Sequence, residues 1–222
     1  FAAAFERAVE AQRAFEAGLA AIGERAFAAA EEFDVPAIVV AGETHVIHDA
    51  LLNPGIHDLI AANGALPVPL DCVPVPDDLP PLARVHWATA GRVLRAVAAA
   101  ARRPGMGFPL LMGAYGCGPN SFIEHLFNDL LEGYPHAVLE TDGHGGTAGY
   151  VTRVQAFLHA VHGYRTDLKA RGGADAVVPE RRLERYDRPI PHSFASTGSG
   201  RVYFDNVGGS VGRQVAAAKQ GG

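Results

Sequence analysis

From Pro36 onward the chain alternates short apolar runs with amphipathic stretches, four times over. The runs are Pro36 to Ala41, Leu66 to Leu70, Phe108 to Gly113 and His136 to Glu140. They are short, continuous and mostly bounded by turn-forming residues, as expected of strands covered on both faces. The stretches between them, at 54–63, 82–103, 121–131 and 148–162, carry apolar residues at helical spacing. Asn53 offers an N-cap, Pro54 a first helical position and Gly64 a stop for the first of these. Pro104-Gly105 ends the second. A β-α repeat of this kind predicts a parallel sheet with right-handed crossovers.

The flanks behave differently. Residues 1–33 place Phe1, Phe5, Val9, Phe15, Leu19, Ile22 and Phe27 at mostly helical spacings in an Ala/Glu-rich background. Gly18 and Gly23 weaken that pattern by about 1 kcal/mol each. A long helix, or two joined helices, packing one face and linking domains, is the expectation. After Gly163 the period is lost. The division that follows is a helical segment at 1–33, an α/β domain at 34–163, a linker or surface excursion at 164–200, and the start of a further β-α unit at 201–222. In this last unit the glycine turn from Asn206 to Gly212 suits a phosphate, though a tight β-α turn needs glycine anyway. The sheet order is expected to be 2-1-3-4, by analogy with Rossmann-like (flavodoxin-like) folds, so ligands belong at the carboxyl edge of the strands.

Composition narrows the function classes. With 222 residues, 48% of them hydrophobic, the chain can bury a sizeable core. A net charge of −5 gives no reason to expect a nucleic-acid partner. No apolar run approaches the ~20 residues a membrane span needs, and no signal peptide is visible. Two cysteines make no disulfide framework, so a reducing cytoplasm is expected. The sequence opens on Phe1 and stops at Gly221-Gly222 in mid-pattern, and it reads as a piece of a longer polypeptide.

Candidate chemistry collects at strand ends. Cys117 sits in Gly116-Cys117-Gly118-Pro119, past one strand and before a helix whose N-terminus favours a thiolate. Metal or cluster ligand, nucleophile and inert buried thiol all remain open for it. A nucleophile needs a base, and His144, on the neighbouring strand end, is the attractive candidate. Cys72 follows the second strand directly, so both thiols fall on one edge of a 2-1-3-4 sheet. Two thiols alone are too few for an iron-sulfur cluster or a structural zinc. The arginines at 84, 92, 95, 102 and 103 suggest a solvated helix face, and Trp87 a core residue.

Three stretches then carry a resemblance: Tyr115 to Phe122, Leu139 to His144, and Ala148 to Leu158 with its Thr152-Arg153-x-x-Ala156-Phe157 pattern. Over roughly Pro36 to Leu158 the chain resembles the acyl-CoA dehydratase activase-related family, itself similar to 2-hydroxyacyl-CoA dehydratase and benzoyl-CoA reductase subunits. The resemblance implies a 4Fe-4S cluster between two α/β domains, with Cys117 and Cys72 as metal ligands and the rest supplied by a neighbouring domain. It further implies an ATP-dependent activase that delivers a low-potential electron, and an acyl-CoA substrate. Gly116, Gly118, Asn120 and Ser121 would line the cofactor, and Asp142 with His144 would move protons. Asn120 and Thr147 stand where the family pattern usually has Asp, and Gly42-Glu43-Thr44-His45 replaces an arginine-bearing turn. The expected function is therefore an iron-sulfur component of an acyl-CoA dehydratase or reductase system. A cluster-free scaffold domain and a Cys117/His144 hydrolase are the alternatives.

Overall fold

A computed structural model describes residues 1–80, 82, 85, 87–141, 146–173 and 183. Helix α1 (Ala2–Glu32) leads into β1 (Ala37–Gly42), α2 (Thr44–His48), α3 (Ile56–Ala62) and β2 (Leu66–Pro69). A 3-10 turn (Leu70–Cys72) follows, then α4 (Ala88–Ala101), β3 (Gly107–Ala114), α5 (Gly118–Leu130), β4 (Ala137–Thr141) and α6 (Thr147–Ala170). The four strands form one parallel sheet, as expected from the repeat, in the order β2-β1-β3-β4 expected by analogy with flavodoxin-like folds.

Register places Ala37 beside both Leu66 and Gly107, and Leu110 beside Ala137. Central β1 is buried at every position, which explains why AIVVAG carries no polar side chain. Helices α3 and α6 meet each other, as do α4 and α5, so each pair covers one face. Helix α4 buries almost only Ala, Val and Leu, and its backbone lies directly on the start of β3. A Cβ on Gly107 would stand 2.5 Å from the Ala100 carbonyl oxygen. Phe108, Tyr134 and Tyr164 pack as an aromatic cluster nearby, and the buried Tyr134 hydroxyl donates to the Gly107 carbonyl at 2.7 Å.

Three expectations need correction. The helix expected from Leu82 starts only at Ala88, because Leu82 turns the chain with φ of +54° and its carbonyl accepts from the Val85 N–H. Trp87, now the residue before the first turn, is 41% exposed rather than in the core. Helix α6 runs on to Ala170 instead of stopping at His162. Its last turns hold the turn after α1: Arg165 and Lys169 each reach the Asp34 carboxylate at 2.7 Å. The expected glycine turn at 206–212 lies outside the described residues.

The arginines expected as a solvated face are paired on that surface, Arg84 lying outside the described residues. Arg92 pairs with Asp71, Arg102 makes two hydrogen bonds to Asp78, and Arg95 donates to the Leu79 carbonyl. Arg103 bonds Glu24 of α1 and lies 4.6 Å over the Phe27 ring. They tie the 70–80 loop and α1 to the sheet. None of the helices among the described residues is long and apolar enough to cross a membrane.

Candidate functional site

Strand order reverses between β1 and β3, so their carboxyl ends flank the crevice where α/β sheets bind ligands. Two backbones approach closely there. A Cβ on Gly42 would lie 2.4 Å from the Met112 carbonyl oxygen, so only glycine fits. One residue on, a Cβ on Gly113 would meet the Asn120 amide nitrogen at 1.9 Å. Asn120 is 8% exposed and donates to the Met112 carbonyl at 3.4 Å. It therefore braces α5 against the end of β3.

Past β3 the chain turns at Gly116, where φ is +75° and the space around the α-carbon is open. Cys117 caps α5 in extended conformation and is half-buried. Its carbonyl accepts from both the Ser121 N–H (3.0 Å) and the Ser121 hydroxyl (2.9 Å). Ser121 is thus engaged in fixing the Cys117 turn, and Gly118 leaves open space beside it. The Tyr115 ring stands 77% exposed at the lip of the turn. On the other side of the crevice Glu43, after β1, accepts from the Thr89 hydroxyl of α4 at 2.7 Å. Trp87 packs edge-on against Phe122, which packs against His125 in the same way.

Cys72 occupies the same edge under different conditions. It ends the 3-10 turn after β2, is 8% exposed, and belongs to the hydrophobic core. Burial, helped by the Asp71 charge, pushes its thiol pKa up, which disfavours a thiolate. Helix α1 seals it: Gly23 lies so close to the Cys72 carbonyl that a Cβ would come within 1.6 Å of its oxygen. Cys72 follows Pro69, which is level with Val40 and hence with Leu110, whereas β3 runs on to Ala114 before the Cys117 turn, so the two cysteines follow their strands at different heights along the sheet.

Beside Cys72, Asp71 binds His48 Nε2 at 2.7 Å and Arg92 at 2.6 Å. The sequence reading missed this ion network. Its only local signal is an acid at a strand end, because both partners are distant in the chain. A shallow open cleft of about 560 Å³ adjoins it, lined by His48, Asn53, His57 and Asp58 among others. Asn53 Oδ1 accepts from the Ile56 N–H, so its amide nitrogen donates to the Ile47 carbonyl and to His57 Nδ1. The neutral His57 ring then carries its proton on Nε2, which has no partner among the described residues. Burial first, then the His48 charge, holds His57 below the usual histidine pKa, against the pull of Asp58.

Asp142 and His144 lie outside the described residues. The anchors of their turn are in place: the Tyr115 N–H donates to the Thr141 carbonyl, and the Tyr150 hydroxyl to Thr141 Oγ1 at 3.2 Å. The expected ligand pair is brought to one edge, with one thiol accessible and one sealed. Among the described residues no three His, Cys, Asp or Glu side chains come together to hold a metal ion. These residues fit the donation of one thiol, Cys117, to a cluster; they do not make a cluster site alone.

Residues 1–73 match the family described as the CoA enzyme activase uncharacterised domain (DUF2229). No curated protein and no solved structure matches the chain.

Proposed function

We propose, starting from the match of residues 1–73 to the CoA enzyme activase domain, that the chain serves an acyl-CoA dehydratase or reductase system as a cluster-bearing α/β domain. The β1/β3 edge is its working face. Cys117 is this domain's ligand to a 4Fe-4S cluster completed by a neighbouring α/β domain of the same protein. Such a cluster, when bound, supplies a low-potential electron from an ATP-dependent activase to an acyl-CoA thioester.

What this chain's own residues do is more limited. Ser121 and the Gly116 turn hold the Cys117 backbone in one conformation, so the thiol is presented without a search over rotations of its loop. Gly116 and Gly118 carry no side chain to block approach of a bulky inorganic group. Asn120 ties α5 to β3 beneath the site through its bond to the Met112 carbonyl. Cys72 contributes to the core.

The observation that carries this reading is the half-buried thiol of Cys117 at the topological switch of a chain whose residues 1–73 match the CoA enzyme activase domain. The test is iron content and sulfide-to-iron absorption of the full-length protein after anaerobic purification. Cys117→Ser should abolish or sharply reduce bound iron, while Cys72→Ser should leave it. Full-length protein free of iron under those conditions would instead support a scaffold domain without a cluster.

A further inference from the structure

Helix α1 is anchored only at its end. Among its 31 residues, the buried ones are Gly23, Phe27 and Ala30. Nearly everything before Leu19 is exposed, so some 17 residues, about 25 Å of helix, project past the edge of the sheet. That projection is not polar all round. Phe1, Phe5, Ala8, Gln12, Phe15 and Leu19 recur at alternating spacings of four and three, the spacing of a coiled-coil seam. The seam continues the face that Leu19, Gly23 and Ala26 turn toward the domain, whereas Glu6, Arg7, Glu10 and Arg13 fall away from it.

We propose that this seam is a self-association surface that pairs antiparallel with α1 of a second copy of the chain. Two properties select that occupant. The seam is self-complementary when reversed: Phe5 meets Phe15 of the partner, Ala8 meets Gln12, and Phe1 meets Leu19 at the domain edge. Every layer is then repeated by the two-fold axis, as an isologous interface requires. One flank consists of Ala4, Ala11 and Gly18, and Gly18 has open space around it, so the helices approach closely without opposing like charges.

The area is also sufficient. Phe1, Phe5 and Phe15 are 106%, 61% and 61% exposed. At ~200 Å² for a whole aromatic side chain they offer roughly 450 Å² per copy. Fully covered, six rings bring up to about 900 Å², and Ala8 and Leu19 carry the total toward the ~1,000 Å² that a specific interface clears.

Sedimentation of the chain across the micromolar range tests this. A dimer that is lost in the Phe5→Glu/Phe15→Glu variant is expected, with the monomer's far-UV circular dichroism still that of a folded chain, because neither ring is part of the core. A wild-type monomer throughout the range, or a dimer that survives the double substitution, overturns the proposal. Orientation is read from oxidative cross-linking in a Cys72→Ser/Cys117→Ser background. Phe5→Cys with Phe15→Cys should trap a covalent dimer and Phe5→Cys alone should not. Trapping by Phe5→Cys alone would mean parallel pairing and would overturn the antiparallel assignment.

Discussion

A single methyl group at Gly23 tests how α1 is held and how Cys72 is hidden. Gly23→Ala places a Cβ 1.6 Å from the Cys72 carbonyl oxygen and 2.7 Å from its carbon, where ordinary contact begins at 3.4 Å. Both neighbours are backbone, so α1 and the 3-10 turn must separate by about 2 Å. That movement unseats Phe27 and Ala30, now 2% and 0% exposed. Burying a phenylalanine contributes about 1.5–3 kcal/mol, and much of it is lost. Alanine's better helix propensity returns about 1 kcal/mol. The net expectation is destabilisation by about 1–2 kcal/mol, or a fall of about 0.5–1 M in urea midpoint at a slope near 2 kcal/mol per M. Gly18→Ala in the same helix meets nothing within 4 Å, so it should raise helicity and stability. Alkylation of Cys72 should accelerate in the Gly23 variant alone. Equal midpoints for the two variants, or a more stable Gly23→Ala, would refute the packing argument.

Three further outcomes follow from the same geometry. Gly113→Ala drives the Asn120 amide off the Met112 carbonyl and should cost about 1–3 kcal/mol; adding Asn120→Ala should recover part of that in a double-mutant cycle. His57 has a depressed folded pKa, so the unfolded chain takes up its proton first. Its contribution is intact above the unfolded value near 6.5 and is lost as pH falls toward the folded value, so chemical denaturation should show a shallower loss below pH ~6.5 in His57→Gln. Asp34 is held below the usual carboxylate range by the Lys169 hydrogen bond first and the Arg165 charge next. Its contribution is present above its unfolded value near 3.9 and disappears as pH drops through the folded one, so Asp34→Asn should flatten the acid limb of the stability curve.

The strands were legible because each is a continuous apolar run stopped by turn residues, and burial on both faces leaves a sequence little else to be. Sheet order was expected only by analogy with flavodoxin-like folds, and the observed order agrees with it. What escaped was decided by partners far away in the chain. Trp87 reads as core only if its helix begins at Leu82, and the left-handed backbone at Leu82 leaves no trace in periodicity. The α4 arginines look solvated on a helical wheel, yet Asp71, Asp78 and Glu24 come to them from other elements.

The site was legible to the same depth. Position alone put Cys72 and Cys117 on one edge, and the fold does so. Spacing could not show that Gly23 of a distant helix seals one thiol while Gly116 and Gly118 leave the other open. Likewise Asn120 and Ser121, read as cofactor contacts from the motif around them, form hydrogen bonds to the Met112 and Cys117 carbonyls. The motif marks a built turn, and the function of that turn rests on the sulfur it presents.

The most direct measurement is the rate at which each native thiol is alkylated in the folded chain, followed by peptide mass spectrometry. Cys117 should react at least about tenfold faster than Cys72, the difference vanishing in denaturant. Equal rates in the folded chain, or a faster Cys72, would contradict the assignment of Cys117 as the thiol offered at the working edge.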